Sequence, residues 1–420
     1  MTADRHRILL LGNYRPTLTL VRTLGAAGHH LTVGLEGSDG GAEFSRHANA
    51  TWDHPSLLKD EDAFLTALEA YVARNQITLL FPVSEEFVTC FVRHRQRVEA
   101  LAPVAMMEPE LVSACLDKVG MMQRCVRLQV PCAPFALARS AEELQAACDT
   151  LGFPLVVRPE LSTQRLGGKK AVTLHTAQDV GTLVALWHNR SSALVLQQHF
   201  SGRRYNLYFA AEKGVLTRHV QAVILRTDSP DGSGLAVEGE TIPPLEPLRT
   251  YTMRLIADLE YDGIGCAQYL VEERTGAISF LEINARIAGN LNVPEAAGLA
   301  LGPLLVNKAL GVQATAHPAA SLTEGRTGMR YVWVSGELLA AIVAQMKGEI
   351  GFATMVKRFG VALGSAFRAD LHMVWSWKDP LPALVTLWRL MPSLSGVKRR
   401  LKKLFFKQEE SREKDRQVSP

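Results

Sequence analysis

Three polar side chains alternate with apolar ones in the stretch SFLEINAR, residues 279–286. Glu282, Asn284 and Arg286 are spaced two residues apart, and in a β-strand residues at that spacing point to the same face. The apolar residues between them predict a core on the other face. A carboxylate, an amide and a guanidinium on one protected face form a set that can hold a cation next to an anion.

A neighbouring strand brings a further oxygen donor to this set. Residues 265–272 and 277–284 predict two strands joined by the turn ERTG. Folding at that turn places Gln268 roughly across from Glu282 and Asn284. The three side chains then offer oxygen atoms to a hard cation such as Mg²⁺, which prefers oxygen ligands and keeps several waters or phosphate oxygens.

A basic set precedes this hairpin in the chain. Arg158 ends the apolar run FPLVVR, and Lys169 and Lys170 follow Gly167 and Gly168 in a polar loop. Glycine allows backbone N–H groups to approach a phosphate closely, and the cations complement its charge. The loop sequence RLGGKKAV does not contain the GxxxxGK[ST] pattern, so it is not a P-loop.

The first part of the chain alternates between strands and helices. Residues 7–110 contain apolar strand runs at 7–11, 30–35 and 77–83 and helical segments at 17–27 and 62–75. This βαβ order predicts a parallel sheet. Gly12 after the first strand raises the alternative of a nicotinamide-dependent oxidoreductase, but LGNYRP lacks the other glycines of GxGxxG. That alternative predicts dinucleotide binding at Gly12 without a need for Mg²⁺.

A second block of helices and strands follows. Helical periodicity covers 110–128, 141–151 and 249–259, and strand patterns cover 153–158, 171–175, 192–200 and 205–211. The segment DSPDGSG, residues 228–234, predicts a flexible loop. Arg226 precedes this loop and is a candidate to pair with a substrate carboxylate while the loop closes over a small molecule.

The overall composition is that of a soluble globular protein, with 47% apolar and 21% charged residues. The 420 residues predict roughly two to three domains. No apolar run is long enough for a membrane span. Six scattered cysteines without a CxxC pair predict reduced thiols and a cytoplasmic protein, and they argue against a zinc site.

The net charge of +4 arises at the C-terminus, because residues 398–420 hold nine Lys or Arg and four Asp or Glu. The rest of the chain is near neutral, which argues against a nucleic-acid-binding surface. Within this tail, VKRRLKKLFFKQ places Leu401, Leu404 and Phe405 at helical spacing among basic residues. The tail is therefore either an ordinary exposed amphipathic helix or a segment that contacts an anionic membrane or a partner.

The ordered set of segments resembles the ATP-grasp superfamily, and most of all the ATP-binding unit of the carbamoyl phosphate synthetase large chain. The segments that carry the resemblance are VVRP, the glycine loop, LVLQQHFSG and GIGCAQYLVEERTGAISFLEINAR. Most ATP-grasp enzymes have Lys at the position of Arg158 and Glu at that of Gln268, whereas the carbamoyl phosphate synthetase family has Arg and Gln. The resemblance covers residues 110–310, and residues 7–110 match the preceding domain of such enzymes more weakly.

The resemblance implies a role for each matching residue. The residues that would bind ATP through its phosphates or adenine are Lys118, Arg158, Gly167, Gly168, Lys169, Gln197, Gln198, His199 and Phe200. Gln268, Glu282 and Asn284 would bind Mg²⁺ (or Mn²⁺) that bridges the phosphates. Arg286 would stabilise the transferring phosphoryl group or the acyl intermediate.

The implied fold class is α/β (α+β), in three parts. These are a Rossmann-like N-terminal domain over 1–110, an ATP-grasp domain over 111–312, and a mostly helical C-terminal region over 313–420. In that last region Trp375, Trp377 and Trp388 are expected to be core residues.

The implied activity joins a small-molecule carboxylate to an amine, or to a thiol, through an acyl phosphate, with release of ADP and phosphate. A homodimer is a further expectation. The alternative is a regulatory or degenerate ATP-binding member without turnover. It is raised by Arg203 and Arg204, which stand after SG where relatives usually offer Glu.

Overall fold

The structure is a computed structural model that describes residues 5–36, 40–160, 164–169, 171–187, 193–229, 232, 234–312 and 322–390. Lys170 and the basic tail lie outside the described residues. No described helix has the length and apolar character needed to cross a membrane.

The N-terminal part is built on a four-stranded parallel sheet of order β3-β2-β1-β4. Its elements are β1 (Arg7–Leu11), α1 (Arg15–Ala26), β2 (His30–Leu35), a 3₁₀ turn (Ala42–Phe44), β3 (Ala50–Asp53), α2 (Glu61–Asn75), β4 (Leu79–Pro82), α3 (Glu85–Arg93) and α4 (Arg95–Glu99). Gly12, with φ +99°, ends β1 where an added Cβ would lie 2.9 Å from Cβ of Ser84. The close approach and the positive φ explain the glycine at this turn.

A small antiparallel sheet of order β5-β8-β6-β7 follows. The elements of this part are α5 (Pro109–Leu116), α6 (Lys118–Arg127), β5 (Phe135–Ala138), α7 (Ala141–Leu151), β6 (Leu155–Pro159), β7 (Val172–Leu174), α8 (Asp179–Leu186) and β8 (Leu194–Gln198). The single helix predicted over 110–128 is in fact two. Asp117 separates them and caps α6 by accepting the N–H of Gly120 at 2.9 Å.

An eight-stranded sheet forms the largest part of the molecule, in the order β13-β12-β9-β10-β11-β15-β16 with β14 paired to β10. Up to residue 309 its part of the chain comprises β9 (Arg203–Glu212), β10 (Val215–Thr227), β11 (Ala236–Ile242), α9 (Glu246–Asp258), β12 (Gly263–Val271), β13 (Ile278–Asn284), α10 (Asn292–Ala296) and α11 (Leu301–Ala309). The chain is thus a mixed α/β protein, as predicted.

The described C-terminal residues combine short strands with three helices. The elements are β14 (Thr323–Glu324), β15 (Arg330–Val332), α12 (Val334–Met346), α13 (Phe352–Arg368), β16 (Leu371–His372) and α14 (Leu381–Leu390). Trp375 packs against the core, but Trp377 is 86% exposed and Trp388 is 72% exposed. The prediction that these last two are core residues is wrong, because the helices of this region turn small side chains inward.

All six cysteines are free thiols, as the sequence predicts. Burial raises the pKa of Cys90, Cys115 and Cys266 to about 12. These thiols are therefore protonated near neutral pH and poor nucleophiles.

Candidate functional site

One face of the large sheet carries a row of polar side chains. Glu282 on β13 pairs with Gln268 on β12, which pairs in turn with Asn206 on β9. Opposed residues of an antiparallel sheet point to the same face, with Cα atoms about 4.5–5.5 Å apart. The three side chains therefore lie side by side, in the hairpin register that the sequence predicts.

Asn284 adds a fourth group to this row. It lies two residues after Glu282 on β13, and its Nδ2 donates to Oε1 of Glu282 at 2.8 Å. Asn206, which the sequence analysis missed, is buried, and its Oδ1 has no hydrogen-bond partner among the described residues. A carboxylate and amide oxygens suit a hard divalent cation, and a buried acceptor without a partner fits a ligand at this place.

Three of the four side chains in this row are carboxamides, and Glu282 is the one carboxylate. Within the described parts of the chain, no three His, Cys, Asp or Glu side chains are grouped as a metal site. Asn206 Nδ2 donates to the hydroxyl of Tyr208 at 2.9 Å, and Asn290 Nδ2 donates to the same hydroxyl at 2.5 Å. These bonds fix the orientation of Asn206 and leave its oxygen for another partner. The signal in the sequence was the alternation of RYNLYF, which places Asn206 on one face with Tyr208.

Two further predicted residues lie on the face of the small sheet that is opposite α7 and α8. Leu155 and Val157 of β6 enter the core with α7 and α8, so Arg158 lies on the opposite face. Gln197 shares that face, because it pairs with the residue two positions before Arg158. Burial lowers the pKa of Arg158, and the Glu282 carboxylate is the charge that opposes this shift. The Glu282 carboxylate on the large sheet thus interacts electrostatically with Arg158 on the small sheet.

The predicted phosphate loop contains a tight turn. Leu166 and Lys169 exchange two backbone hydrogen bonds, of 2.9 and 3.0 Å, around Gly167 and Gly168. Both glycines have positive φ, +55° and +81°, as a two-residue hairpin turn of type I′ requires. The N–H of Lys169 is therefore used within the turn, and the glycines serve the turn geometry.

The segment predicted to hold adenine spans the end of β8, with Gln197 and Gln198 in the strand and His199 and Phe200 after it. The backbone N–H of Gln198 donates to Pro134 O at 2.8 Å, and that of His199 donates to Pro154 O at 2.9 Å. These two donors are therefore already used within the protein, and the contact of this segment with adenine stays a prediction. Phe200 is half-buried, next to Gly202 at the junction of the two sheets.

Lys118 is the first residue of α6, directly after the capping Asp117. The helix α6 packs against β13, the strand of Glu282 and Asn284. Lys118 is thus on an element next to the polar row, and its contact with ATP phosphates stays a prediction.

Arg286 lies two residues beyond the end of β13 and links two parts of the molecule. Its Nη2 bonds Oε2 of Glu85, at the start of α3, at 3.0 Å. Burial would lower the pKa of Arg286, but Tyr14, Glu85 and Glu282 outweigh this effect and raise it. Arg286 is therefore a permanently charged group close to Glu282, and Glu85 holds it in place.

Arg226 has carboxylate partners of its own. It pairs with Glu238 at 2.6 Å and with Glu337, and Nη2 donates to the hydroxyl of Ser365 at 3.2 Å. Both carboxylates are buried. Each nitrogen of Arg226 thus already has an acceptor within the protein, and its contact with a substrate carboxylate stays a prediction.

Arg15 is a half-buried cation that the sequence analysis missed. It is the first residue of α1, and its guanidinium carbon lies 3.6 Å from the ring centroid of Trp333. Burial lowers the pKa of Arg15 to about 10. Its described hydrogen bond is a long one, 3.5 Å from Nη1 to Ala236 O, and no described carboxylate forms an ion pair with it. A signal was present in the sequence, because Arg15 directly follows the loop after β1.

Arg204 lies on the same face of the large sheet as Asn206. Its Nη1 donates to Gly234 O at 3.0 Å, while its buried Nε has no described partner. Burial raises the pKa of Tyr331, and Arg204 and Arg15 are both charges that oppose the shift. The two arginines therefore lie around Tyr331, whereas the neighbouring Arg203 pairs with Glu273 at 3.2 Å.

Comparison with known proteins identifies relatives of this fold. Residues 243–315 match the family described as carbamoyl-phosphate synthase L chain, ATP binding domain. The carbamoyl phosphate synthase large chain of Arthrobacter sp. (strain FB24) is 24% identical over 206 residues, which are 46% of this chain and 18% of that protein. This chain therefore matches less than a fifth of the length of that curated relative.

Solved structures with a similar fold include two that hold nucleotides. The biotin carboxylase domain of Hydrogenobacter thermophilus 2-oxoglutarate carboxylase, in complex with MgADP, ADP and bicarbonate, has a TM-score of 0.62 and 13% identity, over 78% of this chain and 74% of that one. N5-carboxyaminoimidazole ribonucleotide synthetase in complex with ADP has a TM-score of 0.58 and 14% identity, over 81% and 85%. The predicted resemblance to the ATP-grasp superfamily, and to the carbamoyl phosphate synthetase large chain, is confirmed.

Proposed function

We propose that this chain is an ATP-dependent ligase that joins a carboxylate to an amine, or to a thiol, through an acyl phosphate. The observation that carries the proposal is the position of Gln268, Glu282 and Asn284 on adjoining strands, and the electrostatic interaction of Arg158 with Glu282 supports it. A fold shared with a biotin carboxylase domain and a synthetase that were solved with ADP, and a fitting donor set, both support it.

In this proposal Gln268, Glu282 and Asn284 hold Mg²⁺ or Mn²⁺, which when bound neutralises charge on the ATP phosphates. Arg158 binds the phosphates from the opposite sheet, and Lys118 and the loop of Gly167 to Lys169 contribute from the sides. Arg286, held by Glu85, is placed to stabilise negative charge on the transferring phosphoryl group.

The proposed reaction has two steps. A carboxylate oxygen attacks the γ-phosphorus of ATP, and the bond to the β-phosphate oxygen breaks, so that ADP leaves with the electron pair. The amine nitrogen, or the thiol sulfur, then attacks the acyl carbon, and phosphate leaves while the nucleophile loses a proton. Protein groups act here mainly by positioning the reactants and balancing charge.

In this proposal Arg15 and Arg204 bind the anionic substrate, a role that the sequence analysis gave to Arg226. The two guanidinium groups surround Tyr331, on the sheet face that also carries the polar row. Half-buried cations that form no ion pair with a described carboxylate are suited to an anionic ligand. The Trp333 ring under Arg15 holds that side chain in place.

The test is release of ADP and phosphate with pools of carboxylic acids and amines, with Mg²⁺ present or chelated. Turnover that requires both an acid and an amine, and that stops on chelation, is the expected result. ATP binding without ADP release in any pool would instead favour the regulatory alternative. Binding of a nicotinamide dinucleotide at Gly12 would overturn both.

A further inference from the structure

The helix α12 has its large apolar residues outside and its small residues inside. Leu339, Val343 and Met346 are exposed at spacings of four and three residues, so they share one side of the helix. The buried residues of the same helix are Ser335, Gly336, Glu337, Ala341 and Ala344. This arrangement is the reverse of that of a surface helix in a water-soluble protein.

The helix α13 repeats the pattern over a longer distance. Five of its large apolar residues fall on one side at spacings of three and four, namely Phe352, Val356, Phe359, Leu363 and Phe367. Four of these are exposed, Phe367 to 92%, and Phe359 is half-buried. The buried residues of α13 are Ala362 and Ser365. The apolar side of α13 is thus the one that faces away from the protein.

The helix α14 shows the same feature with Leu381, Leu384 and Trp388, and Trp377 lies exposed just before it. Because α12 packs against both α13 and α14, these side chains belong to one region of the surface. We call them the apolar face. Exposed large apolar side chains in such number indicate an apolar partner.

The charges of this region identify the kind of partner. Lys347, Lys357, Arg368 and Lys378 are exposed and form no ion pair with a described residue, whereas Glu349 and Asp370 are the exposed carboxylates of the three helices and their loops. The other carboxylates of the region are buried and bound to arginines: Glu337 to Arg226 and Asp379 to Arg22. The exposed charge around the apolar face is therefore mainly positive.

The sequence that follows α14 is also basic, although its placement lies outside the described residues. Residues 398–407 read KRRLKKLFFK, six cations without a carboxylate. If the apolar face were covered by this tail, or by the same face of a second copy, cations would meet cations at an unfavourable cost. An anionic lipid surface complements both the charge and the apolar character.

We propose that the apolar face and its cations bind the surface of an anionic membrane, as a peripheral contact. Large apolar side chains, Trp377 and Trp388 among them, enter the headgroup region, where aromatic rings are favoured. The cations bind acidic headgroups, each adding an attraction that salt screens. No described helix is suited to span the bilayer, so the contact is made from one side.

The test is flotation of the full chain with vesicles of phosphatidylcholine alone and of phosphatidylcholine mixed with phosphatidylglycerol. Binding to the anionic vesicles that weakens at high salt is expected, together with a blue shift of the emission of the exposed tryptophans. The double variant F367S/W388S should lose at least about tenfold in vesicle binding, because two large apolar contacts are removed. Both positions are exposed, so the fold should be kept.

The matched control is L58S/V215S, which removes two exposed apolar side chains elsewhere and should leave vesicle binding unchanged. Absence of vesicle binding by the full chain would overturn the proposal. A wild-type dimer in light scattering that becomes monomeric in F367S/W388S, without vesicle binding, would assign the face to a second copy. Neither experiment uses ATP or a substrate, so its result is independent of the proposed ligase activity.

Discussion

Glu282 supplies the one full negative charge among the three predicted metal ligands. Gln268 faces it across the hairpin, and Asn284 donates to its Oε1. A carboxylamide of the same shape can still accept that hydrogen bond. The side chain at position 282 can therefore lose its charge with little change in local structure, which makes it the sharpest place to test the metal site.

Mutation of a residue that hydrogen-bonds a metal ligand typically costs roughly 10- to 100-fold in activity. The variant E282Q, which changes a proposed ligand itself, should lower Mg²⁺-dependent ADP release by more than about 100-fold. The physical reason is the loss of the single anionic ligand. The measurement is the rate of ADP release as a function of Mg²⁺, with thermal unfolding as a check of the fold. The matched variant is E273Q, at an exposed ion pair with Arg203, which should change little. Near-normal turnover in E282Q would remove Glu282 from the metal site.

Arg158 tests the part of the proposed site that the small sheet contributes. The variant R158A should raise the ATP concentration needed for half-maximal rate by about 10- to 100-fold, because a charged hydrogen bond to phosphate is lost. The control is R139A, since Arg139 is an exposed arginine after β5. An unchanged ATP requirement in R158A would show that Arg158 does not bind the phosphates.

At the scale of elements, the hairpin of β12 and β13 was predictable because its signals are local. A turn with glycine at position 276 and alternating side chains set its register. The side of α13 that faces the protein was not predictable. Periodicity shows that Phe352 to Phe367 share one side, but it does not say whether that side packs inward. Arg15 and Asn206 were missed for a similar reason, because their surroundings come from residues far apart in sequence.

The turn of Leu166 to Lys169 can be tested through Gly168. An added Cβ would meet open space there, but φ is +81°, so the variant G168A should cost about 1 kcal/mol through backbone strain alone. Because the turn is exposed, the melting temperature of G168A should fall only slightly. The ATP concentration needed for half-maximal rate should rise several-fold. The control is G181A in α8, where the space is also open and φ is ordinary. Stability there should be kept or increased by helix propensity. If G168A and G181A had the same ATP requirement and the same melting temperature, the proposed role of the Leu166 to Lys169 turn in ATP binding would be contradicted.

At the scale of the whole molecule, one buried carboxylate joins the C-terminal region to the N-terminal sheet. Asp379 accepts from Arg22 Nε at 2.9 Å, from the hydroxyl of Ser45 at 2.7 Å and from the N–H of Arg46 at 3.0 Å. Burial would raise the pKa of Asp379, but these bonds outweigh it and lower the pKa below the ordinary 3.8. The helices that carry the apolar face are thus anchored to the N-terminal part of the chain by a charge.

The variant D379N should lower the free energy of unfolding at neutral pH by about 3 kcal/mol, because it leaves Arg22 without its buried partner. A carboxyl whose pKa is depressed in the folded state stabilises it above the ordinary pKa, and this stabilisation is lost as pH falls through the folded-state pKa. The difference between wild type and D379N should therefore be constant above about pH 5 and shrink below about pH 4. Urea unfolding across this range measures it. The matched variant D262N, at a half-exposed pair with Lys308, should cost less than about 1 kcal/mol at any of these pH values. A difference for D379N that stays constant down to low pH would mean that the charge of Asp379 does not hold the two regions together.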